Sequence, residues 1–187
     1  LFSFLLRTAD QSFQQLDLLI EVDLPPPSRP EQTGSPDSLV DWASLGRQGR
    51  RFVTGGPDAE ALKSFFKTPL VAPVRVYVGL NSADTPEARA RLALEELKRV
   101  GAFERSVMVL ATPTGTGWID PAGQDPLEYL FRGDIATVAV QYSYLNSPLT
   151  LLTGGAYGAE TARALFVAIY DYWRGLPTHS RPRLFLS

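Results

Sequence analysis

The sequence predicts an α/β fold with a largely parallel sheet and helices on both of its faces, preceded by an amphipathic helix and an extended linker. Short apolar runs have the length of buried strands, and stretches with the three-and-four spacing of helices separate them. Strands of this kind, joined by helical crossovers, are typical of a parallel sheet covered on both faces. We assign a connector helix to residues 1–23, a linker to 24–56 and the folded domain to 57–187, with no internal repeat.

The connector is predicted to be helical because its apolar residues recur at spacings that align them on one face. These residues are Phe2, Leu5, Leu6, Ala9, Phe13, Leu16 and Ile20. Two interpretations stay open, a helix packed on the domain and a connector that emerges from a membrane or another domain. No apolar segment approaches the roughly 20 residues that cross a bilayer, although the opening residues can be the last turns of a membrane helix.

The linker begins where Pro25–Pro27 ends the connector, because proline lacks an amide donor and clashes with the preceding turn. The residues that follow are rich in Gly, Pro and Ser and show little periodicity, which is typical of a chain wrapped over a surface. Trp42, Leu45 and Phe52 are expected to pin it to the folded part.

The folded domain is predicted to start with a short helix at Pro57–Phe66 and a strand at Val74–Gly79. The clearest helix start of the chain follows, because Thr85 can cap free amides and Pro86 suits the first helical position. This helix is expected to run to Val100, before a glycine that stops it. The remaining elements are a strand at Val107–Ala111, a short helix at Asp125–Phe131, a strand at Ile135–Val140, a helix at Ala159–Arg174 and a last strand at Leu184–Leu186.

Composition excludes several kinds of chemistry. The chain has no Cys, which rules out disulfides, thiolate catalysis and cysteine-bearing zinc sites within it. Its one His, His179, lies between a predicted helix and the last strand, away from the carboxyl ends of the strands, and is not expected to be catalytic. We expect neither a metal nor a cofactor. The net charge of -2 offers no basic excess that would attract nucleic acid.

Ligands of open parallel sheets bind beyond the carboxyl ends of the strands. Three loops are predicted there, Asn81–Asp84, Thr112–Trp118 and Gln141–Asn146, and a fourth would begin after Ser187. The second is the most suggestive, because its glycines let backbone amides approach an oxyanion or a phosphate. It lacks the Gly-Lys-Ser/Thr of a Walker motif and the third glycine of a dinucleotide fingerprint. A plain turn, an oxyanion or substrate loop and a nucleotide site stay open.

Candidate site residues follow from these loops. The candidates for an oxyanion hole are Thr114, Gly115 and Thr116, and the candidates for substrate binding are Asn81, Ser82, Gly117, Trp118, Tyr142 and Tyr144. Helix capping explains Ser82 without any catalysis, and aromatic residues after a buried strand also serve in packing.

Four ordered blocks of the sequence resemble one family. They are Arg51–Pro57, Arg75–Thr85, Thr112–Pro121 and Gln141–Leu145, and the linker adds Ser44–Gly49. In these blocks the chain resembles the bacterial, largely actinobacterial, α/β-hydrolase-family membrane proteins. The resemblance spans the whole chain and implies an α/β-hydrolase-like sheet that is incomplete here.

The resemblance implies a membrane region before Leu1 and a nucleophile beyond Ser187. In that family the last strand leads into a Gly-Glu-Ser-Leu-Gly-type elbow, a sharp turn that exposes the serine. The chain itself contains no Gly-x-Ser-x-Gly, and Ser187 precedes the elbow. The loop after the third strand of such a fold donates an oxyanion-hole amide, and Thr114–Gly117 occupies that place. Asn81 stands where many relatives carry Asp, which argues against an essential acid at this position.

The resemblance favours a membrane-tethered serine hydrolase of a bacterial cell membrane, acting on an ester or thioester of a small molecule or lipid. Nucleophile, acid and base would come from outside the chain, so these 187 residues alone are expected to be inactive. The expected partners are the missing C-terminal half and the N-terminal membrane region, without nucleic acid. Two alternatives stay open: a non-catalytic module of the same fold that binds or assembles at the membrane, and a nucleotide- or phosphate-binding domain.

Overall fold

Four parallel strands form the sheet in the computed structural model, which describes residues 12–68, 70–145 and 156–187. The strands are β1 (Val74–Val78), β2 (Val107–Ala111), β3 (Ile135–Val140) and β4 (Arg183–Leu186). Their order across the sheet is β1-β3-β2-β4, and each neighbouring pair is parallel. The predicted α/β class with a parallel sheet is confirmed.

Six α-helices accompany the strands in the described residues. They are α1 (12–18), α2 (Gly46–Thr54), α3 (Ala59–Phe66), α4 (Pro86–Arg99), α5 (Pro121–Leu130) and α6 (Ala156–Gly175). Helices α3, α4 and α5 each begin at a side-chain cap, because the Asp58 carboxylate, the Thr85 hydroxyl and the Asp120 carboxylate accept a first-turn amide.

Alternation along the strands sends side chains to two covered faces. On one face, Tyr77 packs against α2 and Thr137 accepts a hydrogen bond from Gln124 of α5. On the other face α4 packs against α6, and both contact the central strand β3. Every residue of β1, β2 and β3 is buried, which explains why these strands read as continuous apolar runs.

The predicted connector helix is described only from residue 12 onward, where 12–18 are helical. The packed face differs from the predicted one. Asp17 is 8% exposed, whereas Leu16 and Ile20 are about half exposed (52% and 50%). The spacing rule fails here because a buried carboxylate, and not an apolar stripe, attaches this helix to the domain.

The stretch predicted as an extended linker contains helix α2 and part of the core. Val40, Leu45 and Arg50 are at most 1% exposed, and Phe52 packs beside the ring of Tyr77 with 6.0 Å between ring centroids. The expected anchoring by Leu45 and Phe52 is confirmed, but the chain at residues 46–54 is a helix and not an extended segment.

Smaller differences concern helix ends. Helix α5 starts at Pro121 and not at Asp125, because Asp120 and Pro121 provide a cap and a first helical residue. Helix α3 starts two residues later than predicted, after its cap. Strand β4 begins at Arg183, one residue earlier than predicted. In the ranges that the structure describes, no helix combines the length and apolar character needed to cross a membrane.

Candidate functional site

The carboxyl ends of β2 and β4 meet at the loop that follows β2. The Thr112 amide donates to the Ser187 carbonyl at 2.8 Å, and the Ser187 amide donates to the Leu110 carbonyl at 3.0 Å. These bonds continue the β2–β4 ladder into the loop. The end of β4 therefore lies at the same rim of the sheet as the glycine-containing loop.

Residues Thr114–Gly117 form a tight turn closed by hydrogen bonds within the loop. The Gly117 amide donates to the Thr114 carbonyl at 2.8 Å, and the Thr114 amide donates to the Trp118 carbonyl at 2.9 Å. The Thr114 hydroxyl accepts the Trp118 amide at 3.2 Å. Gly117 has φ +88°, a left-handed conformation that glycine adopts without steric cost.

Two amides of this turn have no hydrogen-bond acceptor among the described residues. Among the described residues, the amides of Gly115 and Thr116 donate to no protein acceptor. The Thr114 amide, by contrast, is committed to Trp118. Of the three predicted oxyanion-hole candidates, Gly115 and Thr116 have amides without an acceptor in the described ranges; Gly115 is buried and Thr116 is partly exposed.

Tyr77 is hydrogen-bonded to the turn from the buried side. Its side chain is completely buried in β1, and its hydroxyl donates to the Gly117 carbonyl at 2.8 Å. A Cβ atom at Gly117 would collide with this hydroxyl, so the turn and the phenol require each other. Burial, and to a lesser extent the charge of Asp17, raise the pKa of Tyr77 well above its ordinary value.

Gln141 connects the loops at the centre of the rim. It is 1% exposed, and its Oε1 accepts the Leu80 amide at 3.1 Å, just after β1. Its Nε2 lies 3.1 Å from the Ser143 carbonyl, 3.3 Å from Asp17 Oδ2 and 3.5 Å from the Thr116 carbonyl. One buried amide thus reaches the loops after β1, β2 and β3, and helix α1.

Asp17 joins α1 to this arrangement and to α2. Its Oδ1 accepts the Arg47 amide at 3.0 Å, in the first turn of α2. Burial raises the pKa of Asp17, against the opposing effects of the Gln141 hydrogen bond, the Arg47 amide and the charge of Arg50. Gly46 has φ +71°, and a Cβ atom there would collide with the carboxylate.

Two predicted substrate-binding residues form a pair on the β1 side of the rim. The Tyr144 hydroxyl lies 2.6 Å from Asn81 Oδ1, which Gln14 of α1 also approaches at 3.4 Å. Ser82 does not join them, since its hydroxyl lies 2.9 Å from that of Ser44. These contacts link the loops to one another and to α1, and none of them involves the Thr114–Gly117 turn.

Tyr142 lines a small cavity on the opposite side of the rim. The cavity has a volume of about 110 Å³ and lies between the ends of β2, β3 and β4 and helix α6. Its walls are Thr112, Pro113 and Tyr142 together with mostly apolar side chains, Leu110, Ala111, Val140, Gly158, Thr161, Ala162, Leu165, Phe166 and Leu186. This cavity adjoins the Thr112–Ser187 contact.

Trp118 and His179 lie outside the turn's immediate surroundings. The Trp118 side chain is 44% exposed and borders a second cavity of about 340 Å³ between α2 and the start of α5. His179 precedes the amino end of β4, at the opposite edge of the sheet. Across the described ranges, no three His, Asp or Glu side chains cluster as metal ligands would.

Sequence reasoning missed Tyr77, Gln141 and Asp17, which together carry the central turn. A weak signal existed for two of them. Tyr77 interrupts a run of valines in β1, and Gln141 is the first polar residue after the apolar run of β3. A polar group within or directly after a fully buried strand must find a partner, and here those partners are the loops of the rim.

Comparison with protein families gives two matches. A sequence model described as "Alpha/beta-hydrolase family" matches residues 74–187, more than half of the chain. A second, described as "Alpha/beta-hydrolase family N-terminus", matches residues 1–57. Comparisons with curated proteins and with solved structures gave no match.

Proposed function

The chain belongs to the alpha/beta-hydrolase family, and from this premise we propose that it forms part of a serine hydrolase that cleaves an ester or a thioester. The nucleophilic serine would lie in residues that follow Ser187, on a strand-to-helix turn at the end of β4. The observation that carries the proposal is the hydrogen bond between the Thr112 amide and the Ser187 carbonyl. It places the end of β4 beside the loop that contains the Gly115 and Thr116 amides.

The chemistry of such a site divides between this chain and the residues after it. A serine Oγ would attack the acyl carbon while a base outside the chain accepts its proton, and the carbonyl oxygen would become an oxyanion. The amides of Gly115 and Thr116, which have no acceptor among the described residues, would donate to this oxyanion. Backbone amides suit the role because they are fixed before the charge develops.

The substrate that fits this surface best carries an apolar acyl group. The cavity beside Thr112 is walled mainly by aliphatic and aromatic side chains, including Leu165 and Phe166. Its volume of about 110 Å³ suits a short acyl chain or the first part of a longer one. We therefore place lipid-like esters and thioesters first among the substrates to be tried.

Attachment to a bacterial membrane is part of the same proposal. Leu19 and Ile20 are 60% and 50% exposed and Val22 is 95% exposed, all just after α1. Apolar side chains exposed together are suited to contact with lipid or with a membrane-embedded segment. No nucleic acid is involved in this proposal, since the net charge is -2.

The decisive experiment replaces one free amide in the protein with its natural continuation beyond Ser187. Gly115→Pro removes the amide hydrogen at the second position of the turn, where proline is favoured. Loss of one oxyanion donor should lower kcat by about 100- to 1000-fold, equivalent to roughly 3–4 kcal/mol. Hydrolysis of p-nitrophenyl acyl esters and labelling by a fluorophosphonate probe provide the measurements.

Gly115→Ala is the matched control, because it also adds a Cβ atom but keeps the amide. The proposal requires the proline variant to lose far more activity than the alanine variant at equal thermal stability. Equal turnover of the two would remove the Gly115 amide from the mechanism. A wild-type protein that neither hydrolyses esters nor reacts with the fluorophosphonate would instead favour a non-catalytic binding module of the same fold.

A further inference from the structure

The Thr114–Gly117 turn is fixed by two buried side chains that have no place in the hydrolysis itself. The Tyr77 hydroxyl donates to the Gly117 carbonyl at 2.8 Å. Gln141 Nε2 approaches the Thr116 carbonyl at 3.5 Å, and its Cγ and Cδ would lie 3.1 and 3.2 Å from a Cβ atom at Gly117. Two successive carbonyls of the turn are thereby directed into the domain.

The directions of the free amides follow from the planarity of the peptide bond. In a trans peptide, the C=O of one residue and the N–H of the next point in opposite directions. The Thr114 carbonyl points into the turn, where it accepts the Gly117 amide, so the Gly115 amide points out of it. This orientation holds as long as the turn stays closed.

The Thr116 amide needs a further constraint. It belongs to the central peptide of the turn, and this peptide inverts when a turn changes between types I and II. Inversion changes ψ of Gly115 and φ of Thr116, and it would replace a donor with a carbonyl oxygen. Anchors on the carbonyls of Thr116 and Gly117, the residues after this peptide, oppose the inversion.

We infer that Tyr77 and Gln141 are positioning residues, which hold the turn so that the Gly115 and Thr116 amides face the reacting carbonyl. The inference rests on the proposed function. Asp17 completes the arrangement, because its Oδ2 lies 3.3 Å from Gln141 Nε2 and orients that amide towards the turn. Helix α1, which is distant in sequence, thereby belongs to the support of the site.

The test uses Tyr77→Phe and Gln141→Met in the protein with its natural continuation. Both changes keep most of the side-chain volume and remove the donor to the turn. We expect kcat for p-nitrophenyl esters to fall by at least about tenfold, as happens when catalytic groups are misplaced. KM should change by less than about twofold, because contacts that bind substrate before reaction are untouched.

Gln124→Met is the matched control. Gln124 is 4% exposed and donates to Glu128 at 3.0 Å and to Thr137 at 2.8 Å, on α5 and β3 away from the turn. It should lower the thermal unfolding midpoint as much as Gln141→Met does, without lowering kcat. A purely structural role for Gln141 predicts the same kinetics for both variants.

Amide hydrogen exchange of residues 112–118 gives a readout that does not depend on activity. Release of the turn should raise exchange at Thr114 and Gly117 by about tenfold in Tyr77→Phe and Gln141→Met, and leave it unchanged in Gln124→Met. Unchanged exchange in the first two variants overturns the inference, as does a kcat that stays at the wild-type value. A wild-type protein without turnover contradicts the proposed function, and exchange alone then decides whether these residues position the turn.

Discussion

At the scale of single residues, a buried ion pair joins β1 to α5. Arg75 Nε donates to Glu128 at 2.7 Å, and the two side chains are 6% and 0% exposed. Gln124 donates to the same carboxylate, and Arg75 also donates to the Phe52 carbonyl at 3.1 Å. Arg75 of β1 is thereby bonded to Glu128 of α5 and to Phe52 of α2, which fixes both helices relative to the sheet.

Removal of one member should therefore be costly. Glu128→Leu leaves the Arg75 guanidinium buried with only Asp125 as a charged partner, and we expect the free energy of unfolding to fall by about 3–5 kcal/mol. Urea unfolding gives the value. Asp171→Asn, in a pair whose side chains are 64% and 56% exposed, should cost under about 1 kcal/mol. Similar losses in the two variants would contradict the buried pair's role.

Part of the candidate site could be predicted from the sequence, and part of it could not. The loop after β2 follows from strand order and glycine content, and its amides lie at the rim where the pattern predicts a site. Gln141 and Asp17 could not be paired in advance, because 124 positions separate them along the chain. Nothing local in the sequence encodes a contact of this kind.

At the scale of elements, the segment before α2 is attached to α4 through one buried carboxylate. Glu96 is fully buried and accepts the Ser38 hydroxyl at 2.8 Å and the Leu39 amide at 3.0 Å. Arg99 donates to Glu96 and, with the same guanidinium, to the carbonyls of Pro30 and Gln32. Burial alone would raise the pKa of Glu96, but these hydrogen bonds outweigh it and lower the pKa below its ordinary value of 4.5.

This attachment should weaken in acid. Because the folded-state pKa is the lower one, the contribution of Glu96 is complete above about pH 4.5 and is lost as pH falls through the folded-state value. At pH 7, Glu96→Gln should lower the free energy of unfolding by about 1–3 kcal/mol. The difference from wild type should shrink towards pH 3 in urea unfolding at stepwise pH, and a constant difference would contradict the assignment.

Glu95→Gln serves as the control for this experiment, since Glu95 lies on the exposed side of α4. Its side chain is 55% exposed in its pair with Lys98. The substitution should change the free energy of unfolding by under about 1 kcal/mol at pH 7.

Helix α2 shows why one element escaped prediction. Its glycines make the sequence read as a linker, yet packing requires them. Gly49 lies against the ring of Tyr77, and Gly46 lies against the carboxylate of Asp17, in both cases without room for a Cβ atom. Glycine usually indicates a flexible segment, but in this helix it allows the backbone to approach neighbouring side chains closely. Strands β2 and β3 contain no glycine, and both were predicted at their observed bounds.

At the scale of the whole molecule, the two segments matched by separate family models share one core. Leu45 and Phe52 from the first segment lie in the same apolar cluster as the residues of β1 and β3 from the second. Asp17 and Gln141 link the two segments by a hydrogen bond. The order of elements along the chain predicted the sheet, but it did not predict that the N-terminal segment completes the core.

Separation of the segments should therefore abolish folding. Expressed alone, residues 58–187 would expose Tyr77 and the α2-facing side of β1, and we expect no cooperative unfolding transition. Addition of a peptide spanning residues 12–57 should restore the transition and the dispersed NMR spectrum. A cooperative transition in 58–187 alone, at the wild-type midpoint, would show that the N-terminal segment is an appendage.

The raised pKa of the Tyr77 hydroxyl bears on how the rate of the proposed hydrolysis would vary with pH. Because burial raises the pKa of Tyr77 above its ordinary value, its hydroxyl keeps its proton at neutral pH and donates to the Gly117 carbonyl. At neutral pH we therefore expect Tyr77 to act as a neutral donor to the turn and not as an acid or base of the reaction. If the proposed hydrolase activity is found, an inflection of its rate between neutral and alkaline pH should therefore be assigned to a group other than Tyr77.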